Sequence, residues 1–287
     1  MRVMITKRPP SPAVANILLA TDLSCHSDRA LDRAILLARQ WHARLVVVTV
    51  VDPERNGLAQ RRQLEADQRE AERRVRSDAA CDDVTIDVRV ESGDLVSCLL
   101  AVAAQERCQM IVIGVARREG MGRMILGSTG EALVGRSPLP VLAVRQRARR
   151  PYANLMVASD FALPSKQALE WSGARFPEAG LHIFHALPSG PLDANARMQQ
   201  AQLQADAFLA EASLAPAMRD QVRFLFREGD AGLLLEAHGR EHSDDLVVLG
   251  TRARHRLVNL LIGSVAQRIL ERAENDVLSV PGHESEA

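Results

Sequence analysis

The chain has 287 residues, 47% hydrophobic and 25% charged, and its 36 Lys+Arg balance its 36 Asp+Glu. That length suits two domains of roughly 100 to 200 residues each better than one, and the even charge gives no global pointer to nucleic acid. The longest apolar runs, such as "LVVVTVV" at 45–51, fall far short of the roughly 20 residues a membrane helix needs.

Residues 1–15 carry positive charge and early prolines without a continuous apolar region, so they read as a mobile leader rather than a secretory signal. Apolar and β-branched runs then place strands near 16–21, 45–51, 84–90, 110–114 and 140–144. Helices are expected near 27–41, 57–80, 94–107 and 128–136. Strands alternating with helices require parallel crossovers, hence an α/β fold with a doubly wound sheet. The densely charged segment 57–80 pairs Glu65 with Arg69, Glu70 with Arg74 and Glu72 with Arg76 at i,i+4, the spacing of a solvated helix face. The basic run with Pro151 in "RQRARRPYAN", 145–154, reads as a solvated linker, dividing the chain into domains 1–148 and 149–287. Cys25, Cys81, Cys98 and Cys108 show no metal-like spacing, and they read as free thiols in a reducing cytoplasm.

The series repeats. "NILLATDLSCHSDRALDRAILLA" from Asn16 has a counterpart in "NLMVASDFALPSKQALEWSGARF" from Asn154. Further on, "ESGD" at 91–94 matches "REGD" at 227–230, "MIVIG" matches "LVVLG", and "ILGSTGEALV" matches "LIGSVAQRIL", each displaced by 136 positions. The chain is therefore duplicated.

The glycine-rich stretch "IVIGVARREGMGRMILGSTGEALV", 111–134, contains neither G-x-x-x-x-G-K-[ST] nor a dinucleotide fingerprint at the first strand-to-helix turn. Its duplicate keeps Gly250 for Gly114 and Gly263–Ser264 for Gly127–Ser128, but has Arg256 and Val258 for Gly120 and Gly122. The shared machinery is thus a glycine ending strand four, a basic loop, and Gly-Ser opening a helix. Unpaired N–H groups at a helix start and a nearby hydroxyl suit phosphate oxygens, and glycine lets the backbone approach closely. Arg117, Arg118 and Arg123, or Arg252, Arg254 and Arg256, add positive charge. The alternative is a strand-end turn followed by a serine N-cap.

On these residues, with "LLATD" and "MVASD" ending the first strands, the chain resembles tandem members of the universal stress protein family over residues 16–281. The resemblance implies two tandem doubly wound five-stranded parallel-sheet domains, of the adenine nucleotide alpha-hydrolase-like kind, joined as an internal pseudo-dimer through "VLAVR" and "VLSVP". It also implies a stress-linked sensor or regulator in the cytoplasm that binds ATP, or AMP or ADP, with or without Mg2+, and it allows a homodimer; neither nucleic acid nor membrane is an expected partner. The family's phosphate pattern is G-x-x-G-x9-G-[ST]. Here Gly114, Gly127 and Ser128 match it with Arg117 in the second glycine's place, and Gly250, Gly263 and Ser264 match it with Ala253 there. By position, Asp22 and Asp160 fall at the adenosine end, Val50 and Ala186 beside the adenine, and Thr129 and Val265 next to the phosphate serines. The bland alternative for the aspartates is helix-one capping and turn formation. Nucleotide-free adaptor and slow ATPase remain the competing functions.

Elsewhere, His238 and His242 have the i,i+4 spacing of a zinc pair, weakened by Gly239 between them. His182 and His185 read as core or edge histidines on a strand. No nucleophile–base arrangement or paired carboxylates can be read from spacing, so no catalytic residue is assigned.

Overall fold

The structure is a computed structural model that describes residues 3–4, 15–23, 28–51, 66, 68–73, 75, 83–117, 124–187, 193–242, 246–252 and 263–282. The chain divides into two compact units, whose main bodies part in sequence between Pro151 and Tyr152. We call them the first and second lobes.

In the first lobe, β1 (Val3–Met4), β2 (Asn16–Ala20), α1 (Asp28–Gln40), β3 (Arg44–Val51), β4 (Ile86–Ser92), α2 (Leu95–Gln105) and β5 (Cys108–Gly114) follow in order. The two-residue strands β6 (Ala116–Arg117) and β7 (Met124–Ile125), helix α3 (Gly127–Arg136) and strand β8 (Val141–Val144) come next. The sheet runs β1-β4-β3-β2-β5-β8. All pairs are parallel except β1 with β4, where Val3 faces Val88. The leader was expected to be mobile throughout, and the Val3–Met4 strand corrects that: its pairing covers the outer edge of β4, which would otherwise present unpaired backbone groups.

The strands read as near-continuous apolar runs because helices cover both faces of a parallel sheet. Leu45, Val46, Val47 and Val48 of β3 are all buried, and α1 packs Ala30, Leu31, Ala34, Ile35, Leu37 and Ala38 against the sheet at helical spacing. In the segment expected as a helix with a solvated face, residues 66, 68–73 and 75 are helical. Gln68 is buried and pinned to β4: its Nε2 donates to the Val88 carbonyl (2.6 Å) and its Oε1 accepts from Val90 N (3.0 Å). Of the expected ion pairs, Glu65, Arg74 and Arg76 lie outside the described side chains, while Glu70 instead meets Arg73 at i,i+3 (2.5 Å).

The basic run after β8 is not a free linker either. Arg145 is fully buried, Arg29 donates to its carbonyl (2.8 Å), and buried Arg33 donates to the carbonyl of Arg150 (3.0 Å). Two arginines of α1 therefore tie the run to that helix by charge-assisted bonds to carbonyls that would otherwise need water.

The second lobe repeats the plan with β9 (Asn154–Ala158), α4 (Leu163–Arg175), β10 (Gly180–Leu187), α5 (Ala194–Glu211) and α6 (Pro216–Arg219). It continues with β11 (Arg223–Glu228), α7 (Ala231–Glu241), β12 (Leu246–Arg252), α8 (Ser264–Arg272) and β13 (Val277–Gly282). Its sheet runs β13-β12-β9-β10-β11, all parallel. Each lobe thus holds five parallel strands in the order third, second, first, fourth, fifth. The order reverses between the first and fourth strands, which opens a crevice at their carboxyl ends.

Candidate functional site

At that crevice the lobes build the same turn from unlike residues. After β2, Thr21 N donates to the Val48 carbonyl (3.0 Å), and the Thr21 hydroxyl accepts from Leu23 N (2.9 Å). After β9, Ser159 N donates to the Phe184 carbonyl (2.9 Å), and the Ser159 hydroxyl accepts from Phe161 N (3.0 Å). Leu23 (φ 59°) and Phe161 (φ 61°) both sit in the left-handed region, where a bulky side chain is strained. Side-chain-to-backbone bonds of this kind hold the chain there, leaving Asp22 and Asp160 exposed at the turn. Asp160 also serves the fold, since its Oδ1 accepts from Ala162 N (3.0 Å) and from the Ser165 hydroxyl (3.2 Å) at the start of α4. Those bonds form the turn that leads into α4, whose N-cap, Ala162, has no side-chain cap.

The sheet brings the other expected residues to the same end. Gly114 ends β5, one residue beyond Ile113, which pairs with Ala20 of β2; half-buried Val50 lies near the end of β3 on the other side. Gly250 lies one residue beyond Leu249, which pairs with Ala158 of β9, and half-buried Ala186 stands near the end of β10. In the second lobe the turn after β9 is aromatic: Phe161 stacks on His185 (4.4 Å between centroids) and meets Phe208 edge-on (5.5 Å), on the face of β10 opposite to Ala186. His185 Nδ1 lies 2.8 Å from the Ser159 carbonyl. Sequence reasoning missed Phe161 and Phe208, because a phenylalanine in a left-handed turn runs against propensity.

The motif glycines fall into distinct physical classes. A Cβ on Gly250 would lie 2.2 Å from the Pro164 carbonyl oxygen and 2.6 Å from Ser165 N, so this glycine admits the backbone of α4 against β12. Gly127 opens α3 at φ 73°, a conformation that selects glycine, with nothing within 4 Å of a Cβ placed on it. Gly263, at the N-cap of α8, has φ −52° and also nothing within 4 Å, so neither its backbone nor its packing demands glycine. Among the described residues no side chain caps α8, and Ser264 and Val265 are exposed. Ser128 and Thr129 are exposed in the first turn of α3. That turn packs on the end of β5, since a Cβ on Gly130 would come within 3.4 Å of Ile113 Cδ1. Arg117 stands in β6 with its side chain outside the described residues; Ala253, Arg118, Arg123, Arg254 and Arg256 lie outside them altogether.

The described thiols are free but poor nucleophiles: burial raises Cys98, with Glu91 and Asp94 adding to it, and burial beside Glu106 pushes Cys108 up to about 12. His238 and His242 stack face to face (4.2 Å), and among the described residues no group of three or more His, Cys, Asp or Glu could hold a metal ion.

Comparison with known proteins accounts for the duplication and the crevice together. The universal stress protein family model matches the chain twice, at residues 14–145 and 151–281. The chain belongs to the universal stress protein family. A curated universal stress protein of Thermus aquaticus, from the QAH/OAS sulfhydrylase 3' region, is 35% identical over 133 residues, covering 45% of this chain and 97% of its own. A universal stress protein structure from Archaeoglobus fulgidus matches 93% of this chain and 98% of its own at a TM-score of 0.73 and 18% identity, which shows the fold. A universal stress protein solved in complex with cAMP is 29% identical over 46% of this chain and 97% of its own, at a TM-score of 0.34. This universal stress protein is therefore a tandem one, with two family domains in a single chain. Among its described residues no helix is long and apolar enough to cross a membrane.

Proposed function

We propose that this tandem universal stress protein binds ATP, or the related AMP or ADP, at the carboxyl end of the second-lobe sheet, and that it acts in the cytoplasm as a stress-response sensor or regulator. Gly263 carries the reading. The described residues make no demand for a glycine there, and none of their side chains caps the helix start, beside an exposed serine. Open space above the N–H groups of a helix start is what a phosphate needs. Mg2+ would arrive on the nucleotide's phosphates, since no described cluster supplies its ligands. The free state of Cys98 and Cys108 agrees with a reducing compartment.

The Phe161–His185 stack, at the turn that carries Asp160, favours a second reading, in which the protein is a nucleotide-free adaptor. Isothermal titration with ATP, ADP, AMP and cAMP separates the two. Gly263→Trp, built into open space, should keep the fold and abolish the heat; absence of heat with every nucleotide on the unaltered chain would leave the adaptor. Phosphate release that depends on Asp22 or Asp160 would instead restore an ATPase.

A further inference from the structure

The amino ends of the strands, opposite the crevice, differ sharply between the lobes. In the first lobe this end is closed by ions. Arg44 pairs with Glu106 and with Asp87 (3.5 Å), and Arg89 pairs with Glu106 and lies 3.8 Å from Asp87. Asn16 accepts from Arg44 Nε (3.3 Å) and donates to the Glu106 carbonyl. Asp87 is fully buried, and Glu106 caps the carboxyl end of α2.

Strand register identifies the counterparts without ambiguity. Asn16 pairs with Arg44 as Asn154 pairs with Gly180; Val46 pairs with Asp87 as His182 pairs with Arg223; Val48 pairs with Arg89 as Phe184 pairs with Leu225. The C-cap of α7 is His242 where that of α2 is Glu106. In the second lobe, then, Arg44 has become Gly180, Arg89 has become Leu225, Asp87 has become Arg223 and Glu106 has become His242. The closing network is gone. Its place is taken by a cavity of about 1050 Å³ between β9, β10, β11 and α7. Gly180 keeps it open, since a Cβ there would lie 2.8 Å from Asn154 Oδ1, which itself sits 3.3 Å from His182 Nε2.

The lining has an apolar floor of Met156, Phe184, Leu225 and Leu234, with charges of both signs around it. Arg223, Asp220 and Glu241 line the cavity, and among the described residues none of their side chains makes a hydrogen bond or ion pair. Arg227 reaches only the neighbouring Phe226 carbonyl (3.0 Å). Separated, unneutralised charges over an apolar floor match a molecule with an anion, a cation and an apolar body. We propose that the second lobe holds a binding site for an amphipathic zwitterion of amino-acid to dipeptide size, with Arg223 on its carboxylate, Asp220 or Glu241 on its ammonium, and the side chains over Phe184 and Leu225. The charges assigned to the ligand, Arg223, Asp220 and Glu241, lie at the amino end of the strands, while the lining extends along β11 to Arg227, the register partner of Ala186.

The test uses the full chain, titrated with L-phenylalanine and the dipeptide Phe-Leu while the imidazole Cε1–H resonances are followed. Saturable shifts are expected, with 3-phenylpropionate, which lacks the ammonium, and phenethylamine, which lacks the carboxylate, each binding at least tenfold more weakly. Arg223→Gln should weaken the zwitterions at least tenfold, and the double variant Leu225→Arg/His242→Glu, which restores two first-lobe residues, should abolish binding with circular dichroism unchanged. No saturable shift with either zwitterion overturns the proposal, as does equal binding of the singly charged probes. That comparison needs only the unaltered chain, so it decides the matter even if a variant misfolds.

Discussion

Glycines that look alike in the duplicated motif answer to different forces, and substitution separates them. Gly250→Ala drives a methyl into the backbone of Pro164 and Ser165, so urea denaturation should show a loss of about 1–3 kcal/mol. Gly263→Ala meets nothing and keeps an ordinary φ, so stability should change by less than about 1 kcal/mol. Cys108 gives a pH signature. Burial and the nearby Glu106 carboxylate raise its thiol from 9.0 to about 12, so the folded state holds that proton more tightly than the unfolded chain. The resulting stability is complete below about pH 9 and is lost as pH rises towards 12. Melting temperature should therefore fall over that window, and Cys108→Ala should flatten the fall.

At the level of elements, the ion network holds the carboxyl end of α2 to the starts of β2, β3 and β4. Glu106→Ala would leave the guanidinium groups of Arg44 and Arg89 without their shared carboxylate, and side chains only about a tenth exposed cannot recover the loss from water. Chemical denaturation should register about 3–5 kcal/mol. Most elements were legible in the sequence because period and duplication agree: strands expected near 45–51 and 110–114 run Arg44–Val51 and Cys108–Gly114. Val3–Met4 was not legible, since two residues carry no period and pair only because β4 has an edge to cover. Nor was the burial of Arg145, where a run of like charges reads as solvated until the carbonyls that receive Arg29 and Arg33 are seen. At the candidate site, Asp160 and Gly263 could be named from the repeat. Phe161 could not, because its left-handed turn is imposed by the Ser159 hydroxyl. The second-lobe cavity was hidden for a different reason: it is defined by what Gly180, Leu225 and His242 replace.

On the scale of the whole molecule, a ligand that binds only the folded chain raises its apparent stability by mass action. At one hundred times its dissociation constant, nucleotide should add about 2.7 kcal/mol, read as an upward shift in melting temperature that Gly263→Trp removes. The zwitterion probes should produce their own shift in that variant, because Gly263 is not among the residues that line the second-lobe cavity. The duplication has one more consequence. Both family domains are translated from a single message, so they are always present in a one-to-one ratio whatever the expression level. A change in one copy, such as the exchange of Glu106's counterpart for His242, is then never diluted by an unaltered partner made elsewhere. The chain can carry a structural ion cluster in one half and do without it in its sibling half, encoded in the same reading frame.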